Sequence, residues 1–121
     1  MCLVNLTPET KGRVKAWKMV RVLYGRILPL CHDLLEYRVG RWTAAPDSEG
    51  IQAFVTKRDA MAARRSWNLS EFWRERNLQV VPVLLENYRK GKIDGMDNVS
   101  NGKPAYSARR CKVLPTKKGE Q

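Results

Sequence analysis

The stretch GIQAFVTKRDA, Gly50–Ala60, decides how the chain is read. Its first half is apolar and strand-like over Ile51 to Val55. Thr56 followed three residues later by Asp59 then matches the S/T-x-x-D/E helix start, in which the hydroxyl takes one free N–H and the carboxylate reaches back to another. A strand running straight into a capped helix predicts a mixed domain. The helix opens with two cations, Lys57 and Arg58. Free N–H groups give a helix start partial positive charge, so cations there are disfavoured unless an anion or carboxylate lies close. On a helical wheel Ala60 and Ala63 share one side, fit for close approach to a sheet, while Lys57, Arg58, Arg64 and Arg65 share another arc with Met61 between them.

Upstream, KAWKMVRVLYGRILPL (15–30) carries β-branched and aromatic residues in rough alternation, which predicts a strand from Lys15 to Tyr24 with Gly25 at a turn or bulge. Trp17, Met19 and Leu23 would form one face and Val20, Val22 and Tyr24 the other, a pattern suited to a central strand. LLEYRVGRW (34–42) reads as a short strand ending near Gly40, and TAAPDSEG (43–50) as a turn-rich connection. Downstream, NLSEFWRERN (68–77) predicts a short helix capped by Ser70. LQVVPVLLEN (78–87) follows as a strand whose Pro82 suits an edge or bulge. YRKGKIDGMDNVSNGKPA (88–105) reads as a long loop or hairpin excursion, YSARRCKVL (106–114) as the last strand, and PTKKGEQ (115–121) as a basic tail. The expected organisation is an irregular segment over 1–14, one domain over 15–114 and a tail over 115–121. The fold class is α+β: a small, mostly antiparallel sheet with one or two helices packed on one face.

The 121 residues suffice for one domain that buries roughly two thirds of its unfolded surface. With 43% hydrophobic and 29% charged residues the chain is globular in composition. Lys and Arg total 23 against 12 Asp and Glu, a formal +11, so most faces attract polyanions. No apolar run reaches the eighteen or so residues of a spanning helix, and the start lacks a leader pattern; a soluble, cytoplasmic protein without membrane contact is expected. Cys2, Cys31 and Cys111 are odd in number and lack C-x-x-C spacing, which fits a reducing compartment and buried thiols at Cys31 and Cys111.

MCLV at the start, YRVGRW, GIQAFVTKRDA, VVPVLLEN and the closing basic strand together resemble a group of small uncharacterised bacterial and phage proteins. Their pattern is M-C-L, Y-x-x-G-x-W/Y, G-F/I-H-x-F-x-T-x-x-x-A and a late valine-rich strand. Where that pattern has His, this chain departs from it with Gln52, so an acid/base or ligand role is not carried over to that position. The resemblance implies a phage or prophage accessory protein of unknown activity, acting in the host cytoplasm if phage-encoded.

Binding of an anion, nucleic acid or nucleotide, without catalysis is the first functional reading. Lys57, Arg58, Arg64 and Arg65 on the helix and Arg109, Arg110 and Lys112 on the last strand offer phosphate contacts, and Trp67, Trp73 or Tyr106 offer stacking surfaces. A phosphate at the helix start would explain its cations; neutralisation by Asp59 and Glu49 is the rival account. An alternative partner is an acidic host protein, docked as an inhibitor of host defence. A second alternative is an N-terminal-cysteine enzyme, with Cys2 supplying thiol and α-amine after loss of Met1. Cys2, Cys31, His32 and Cys111 could formally make a Cys₃His zinc set, but no pair has ligand-loop spacing, so neither metal nor cofactor is expected. The oligomeric state is not legible, although an edge at Pro82 offers a place for pairing.

Overall fold

The computed structural model describes residues 2–30, 35–94 and 99–115. In chain order the elements are β1 (Cys2–Val4), β2 (Thr10–Leu23), β3 (Arg26–Leu28), β4 (Trp42–Ala44), β5 (Ile51–Phe54), α1 (Lys57–Trp67), α2 (Glu71–Arg74), β6 (Leu78–Asp94) and β7 (Pro104–Val113). Every named strand pairing is antiparallel and the two helices are short, which is the α+β class read from the sequence.

β6 pairs with β2 along one edge and with β7 along the other. β5 pairs with β7 over its whole length and meets β2 at Trp17↔Phe54, so the hydrogen-bonded path β6–β2–β5–β7 returns to β6. The sheet closes on itself as a small barrel. Three short strands lengthen its edges: β1 along β6, β3 along β2 and β4 along β7.

Closure explains the sequence pattern. Side chains alternate across a strand, so one set from each strand fills the interior. That set is Ala16 and Val20, Ile51 and Ala53, Val83 and Leu85, and Ala108, Cys111 and Val113, with Tyr37 added from the segment after β3. The alanines keep the narrow interior from overfilling. On β6 the inward position steps from Leu85 to Tyr88 and on β7 from Cys111 to Ala108, skipping a beat where Asn87 takes φ 55°. Opposite this step, β2 shifts its register against β6 between Thr10 and Arg13.

A second apolar cluster lies under α1. Ala60 and Ala63 are fully buried against Met19, Phe54, Leu78, Ile93 and Ala105, with Trp67 and Trp73 at its margin. The helix starts as the sequence predicts: Thr56 is extended and its Oγ1 accepts from the Asp59 N–H at 3.2 Å. Ser70 precedes α2 but makes no side-chain cap hydrogen bond.

Several expectations are corrected. Of the two readings of 88–105 the structure takes the hairpin: residues 88–94 continue β6 and pair antiparallel with β7; residues 2–4 and 10–14 are strand rather than irregular. Around Tyr37 and Val39 there are isolated bridges, to Ile27 and Val113, in place of a strand ending at Gly40. Pro82 sits in the doubly paired strand, not on an edge. Its carbonyl accepts from the Leu114 N–H, so the side of the strand that lacks an N–H faces the chain just past the end of β7, where no ladder bond is lost. The tail from 116 onward lies outside the described residues.

Gly91 shows how closely the N-terminal segment packs. A Cβ there would fall 2.8 Å from the Val4 carbonyl oxygen and 2.9 Å from Leu6 Cδ2. Beside it, Thr7 donates its N–H to Lys90 O and its carbonyl accepts from Arg89 Nε. The substitution Gly91→Ala is expected to lower unfolding free energy by about 1–3 kcal/mol through overpacking. Urea denaturation checks this, and an unchanged midpoint would mean that β1 has room to move.

Candidate nucleic-acid interface

With Val14 and Ala16 turned inward, alternation sends Arg13, Lys15 and Trp17 outward from β2. The register then assembles neighbours on the same outer face. Arg13 lies opposite Glu86, Glu86 opposite Arg110, and Arg110 opposite Ala44; Lys15 lies opposite Leu84, Leu84 opposite Lys112, and Lys112 opposite Trp42. Residues from four strands thus form one basic surface.

Its centre is Trp42. Lys112 Nζ lies 4.8 Å, Arg110 Cζ 4.9 Å and Arg13 Cζ 5.0 Å from the ring centroid. Cations at this range are attracted by the π-face, by about 0.5–1 kcal/mol each at exposed sites. Glu86 ties the two arginines together, accepting from Arg13 Nε at 3.1 Å and from Arg110 Nη1 at 2.9 Å. The hydrogen bond from Arg13, with Arg110 adding its charge, holds the Glu86 carboxyl below its ordinary range.

The other aromatic platform is Trp17, between this face and α1. Lys15 Nζ lies 5.0 Å and Lys57 Nζ 5.3 Å from its ring. The first cation of the helix thus has a π-face beside it, an arrangement that neither rival account from the sequence contains. Arg58 is exposed next to it.

Of the residues proposed from sequence, Arg110 and Lys112 meet at Trp42, and Lys57 flanks the same surface at Trp17. Arg58 is exposed beside Lys57, and the others lie elsewhere. Arg64 donates Nε to the Leu78 carbonyl at 2.8 Å, which ties α1 to β6, and Arg65 is exposed on the helix. Trp67 and Trp73 pack on each other, centroids 4.7 Å apart, over the helix-side core. Tyr106 packs edge-on against Tyr88 beside the barrel interior, and burial raises its phenol pKa. Arg109 pairs with Glu9 at 3.1 Å. Arg13, Lys15, Trp17, Trp42 and Glu86 were missed. RVKAW (13–17) carried the signal, polar and apolar residues alternating with period two.

A cavity of about 170 Å³ opens at one end of the barrel, lined by Lys18, Tyr37, Ile51, Gln52, Phe54 and Trp67 among others. Lys18 is nearly buried there and donates to the Gln52 carbonyl at 2.7 Å. The cavity reaches α1 only at Trp67, its last residue, so the helix N-terminus does not open into it. Among the described residues no three His, Cys, Asp or Glu side chains group to hold a metal, and Cys31 and His32 lie outside those residues. No described helix is long and apolar enough to cross a membrane.

Compared with family models, curated proteins and solved structures, the chain matches none of them.

Cys111 lies in the barrel interior, fully buried, and burial pushes its thiol up to about 11. A thiol so protonated is a poor nucleophile. Burial also raises the neighbouring Tyr37 phenol. Both are acids whose folded pKa exceeds the unfolded one, so their stabilisation is complete below the unfolded values of 9.0 and 10.0 and is lost as pH rises toward the folded ones. The thermal midpoint is expected to hold flat from pH 7 to 9 and fall above it. Cys111→Ala should reduce that alkaline slope, and a slope unaffected by this change would contradict the assignment.

Proposed function

We propose that the protein binds single-stranded nucleic acid, without catalysis, through the outer face of β2, β6, β7 and β4. The observation that carries the reading is the ring of Arg13, Arg110 and Lys112 around Trp42. Cations on a sheet supply phosphate contacts, and an aromatic side chain among them supplies a surface on which an unpaired base stacks. Lys15, Trp17 and Lys57 extend the same chemistry toward α1. An open face suits a polymer. A mononucleotide calls for a concave pocket of some 300 Å³ or more, and the barrel-end cavity is smaller. A phage-type accessory role in the host cytoplasm belongs to the proposal on the strength of the short motifs quoted above.

Docking onto an acidic protein would use the same cations but has no need of the indole planes, and tryptophan substitution separates the two. Fluorescence anisotropy with a labelled twelve-nucleotide strand should give a log–log salt slope of about −2 to −3, for three or four phosphate contacts at roughly −0.7 each. The double change Arg110→Glu with Lys112→Glu should weaken binding at least about tenfold, and Trp42→Ala by about five- to a hundredfold. Arg74→Glu, on α2, serves as a control that should change little. Absence of binding at 50 mM salt, or equal losses in the control, would refute the proposal.

A further inference from the structure

Among the described residues, Glu86 is the acidic side chain that the register places among the cations of this face, and it forms the bridge between two of them. Resting on the function proposed above, we infer that Glu86 holds the place of a ligand phosphate: a phosphodiester displaces its carboxylate from Arg13 and Arg110, and Glu86 thereby sets the affinity of the site.

The argument starts from chemistry. A carboxylate and a phosphodiester each offer two oxygens and one negative charge to a guanidinium fork. Arg13 points Nε at Oε2 and Arg110 points Nη1 at Oε1, so the two oxygens of one anion are divided between two arginines, as the non-bridging oxygens of one phosphate would be. Each guanidinium has five N–H donors in a fixed fork, so once the carboxylate leaves, the donor it occupied on each arginine meets a phosphate oxygen together with its neighbours on the fork. Exposure sets the order of approach. The Arg13 and Arg110 side chains are 57% and 43% exposed and Glu86 only 18%, so a ligand arriving from solvent meets the guanidinium groups above the carboxylate. Two anions cannot share that position without repulsion, and a phosphate that takes the same two guanidinium forks replaces, rather than merely removes, the partner that the half-covered carboxylate supplied. Trp42, within 5.0 Å of both guanidinium carbons, stays beside the phosphate position as a stacking surface for the adjoining base.

The test compares wild type, Glu86→Gln and Glu36→Gln by anisotropy with a labelled twelve-nucleotide oligothymidylate over a salt series. Glu36, which pairs with Arg26 away from this face, controls for the gain of one net charge. Glu86→Gln is expected to bind about three- to tenfold tighter at low salt, with a slope steeper by roughly 0.7–1.4; Glu36→Gln should stay within about twofold of wild type. Arginine Nε–H NMR signals of wild type supply a second readout that needs no variant: those of Arg13 and Arg110 should shift together on adding the strand. Should Glu86→Gln fail to fold, that readout decides. If wild type binds, but Glu86→Gln binds no tighter than Glu36→Gln or the two arginine signals stay still, the displacement is wrong and the interface survives. If wild type does not bind, both ideas fall together.

Discussion

Hydrogen bonding along both edges of β6 is the constraint on which the rest of the molecule depends. A strand of seventeen residues with β2 on one side and β7 on the other leaves no free edge through its middle. Once β5 joins β2 to β7, the sheet acquires an inside and an outside. An inside too narrow for hydrated charge selects apolar side chains and small ones at the closest approaches. Lys18 is the described exception, and its ammonium is held by the Gln52 carbonyl at the barrel's end. The other described cations stand outside that interior, and the closed sheet leaves the face of β2, β6, β7 and β4 as a continuous surface for several of them.

That surface is stabilised by its aromatic side chains as much as by acids. An excess of eleven positive charges leaves too few carboxylates to neutralise each cation. Trp42 and Trp17 take part of that role, each presenting an electron-rich ring to neighbouring ammonium or guanidinium groups. A ring lowers the energy of a nearby cation without cancelling its charge, so the outward potential survives. Lys57 illustrates the difference: it begins a helix, where a cation is disfavoured, yet lies against Trp17 and still adds to the field of the face.

Local chemistry was the legible part of the sequence. Thr56 and Asp59 mark the start of α1, and the two alanines of its buried side are those that a helical wheel puts together. What stayed hidden depends on partners distant in the chain. Pro82 reads as an edge residue because sequence alone does not reveal that the ladder beside it stops at Val113, so that its missing N–H costs no ladder bond within a strand paired on both sides. The polar stretch from Tyr88 to Asp94 reads equally as loop or hairpin because its strand character comes from β7 on one side and β1 at its end. The site suffered similarly. Runs of charge in the sequence point to Arg64, Arg65 and Arg109, whose places are on the helix or beside Glu9, whereas the face is built from residues that alternate with core positions. Trp42 and Arg13 are neighbours only through the register of β2, β6, β7 and β4.

The same register bears on what kind of polyanion fits. On a strand, same-face residues recur about every 6.6–7 Å, and neighbouring strands lie nearly 5 Å apart. The cations therefore form a shallow two-dimensional lattice, not the single projecting ridge that enters a duplex groove. Both indoles sit in or beside that lattice, where a base still stacked within a duplex cannot reach them. Charge alone would accept any polyanion. On the proposed reading, the placement of Trp42 among Arg13, Arg110 and Lys112 favours a flexible strand, whose phosphates and bases would settle separately on the two kinds of side chain.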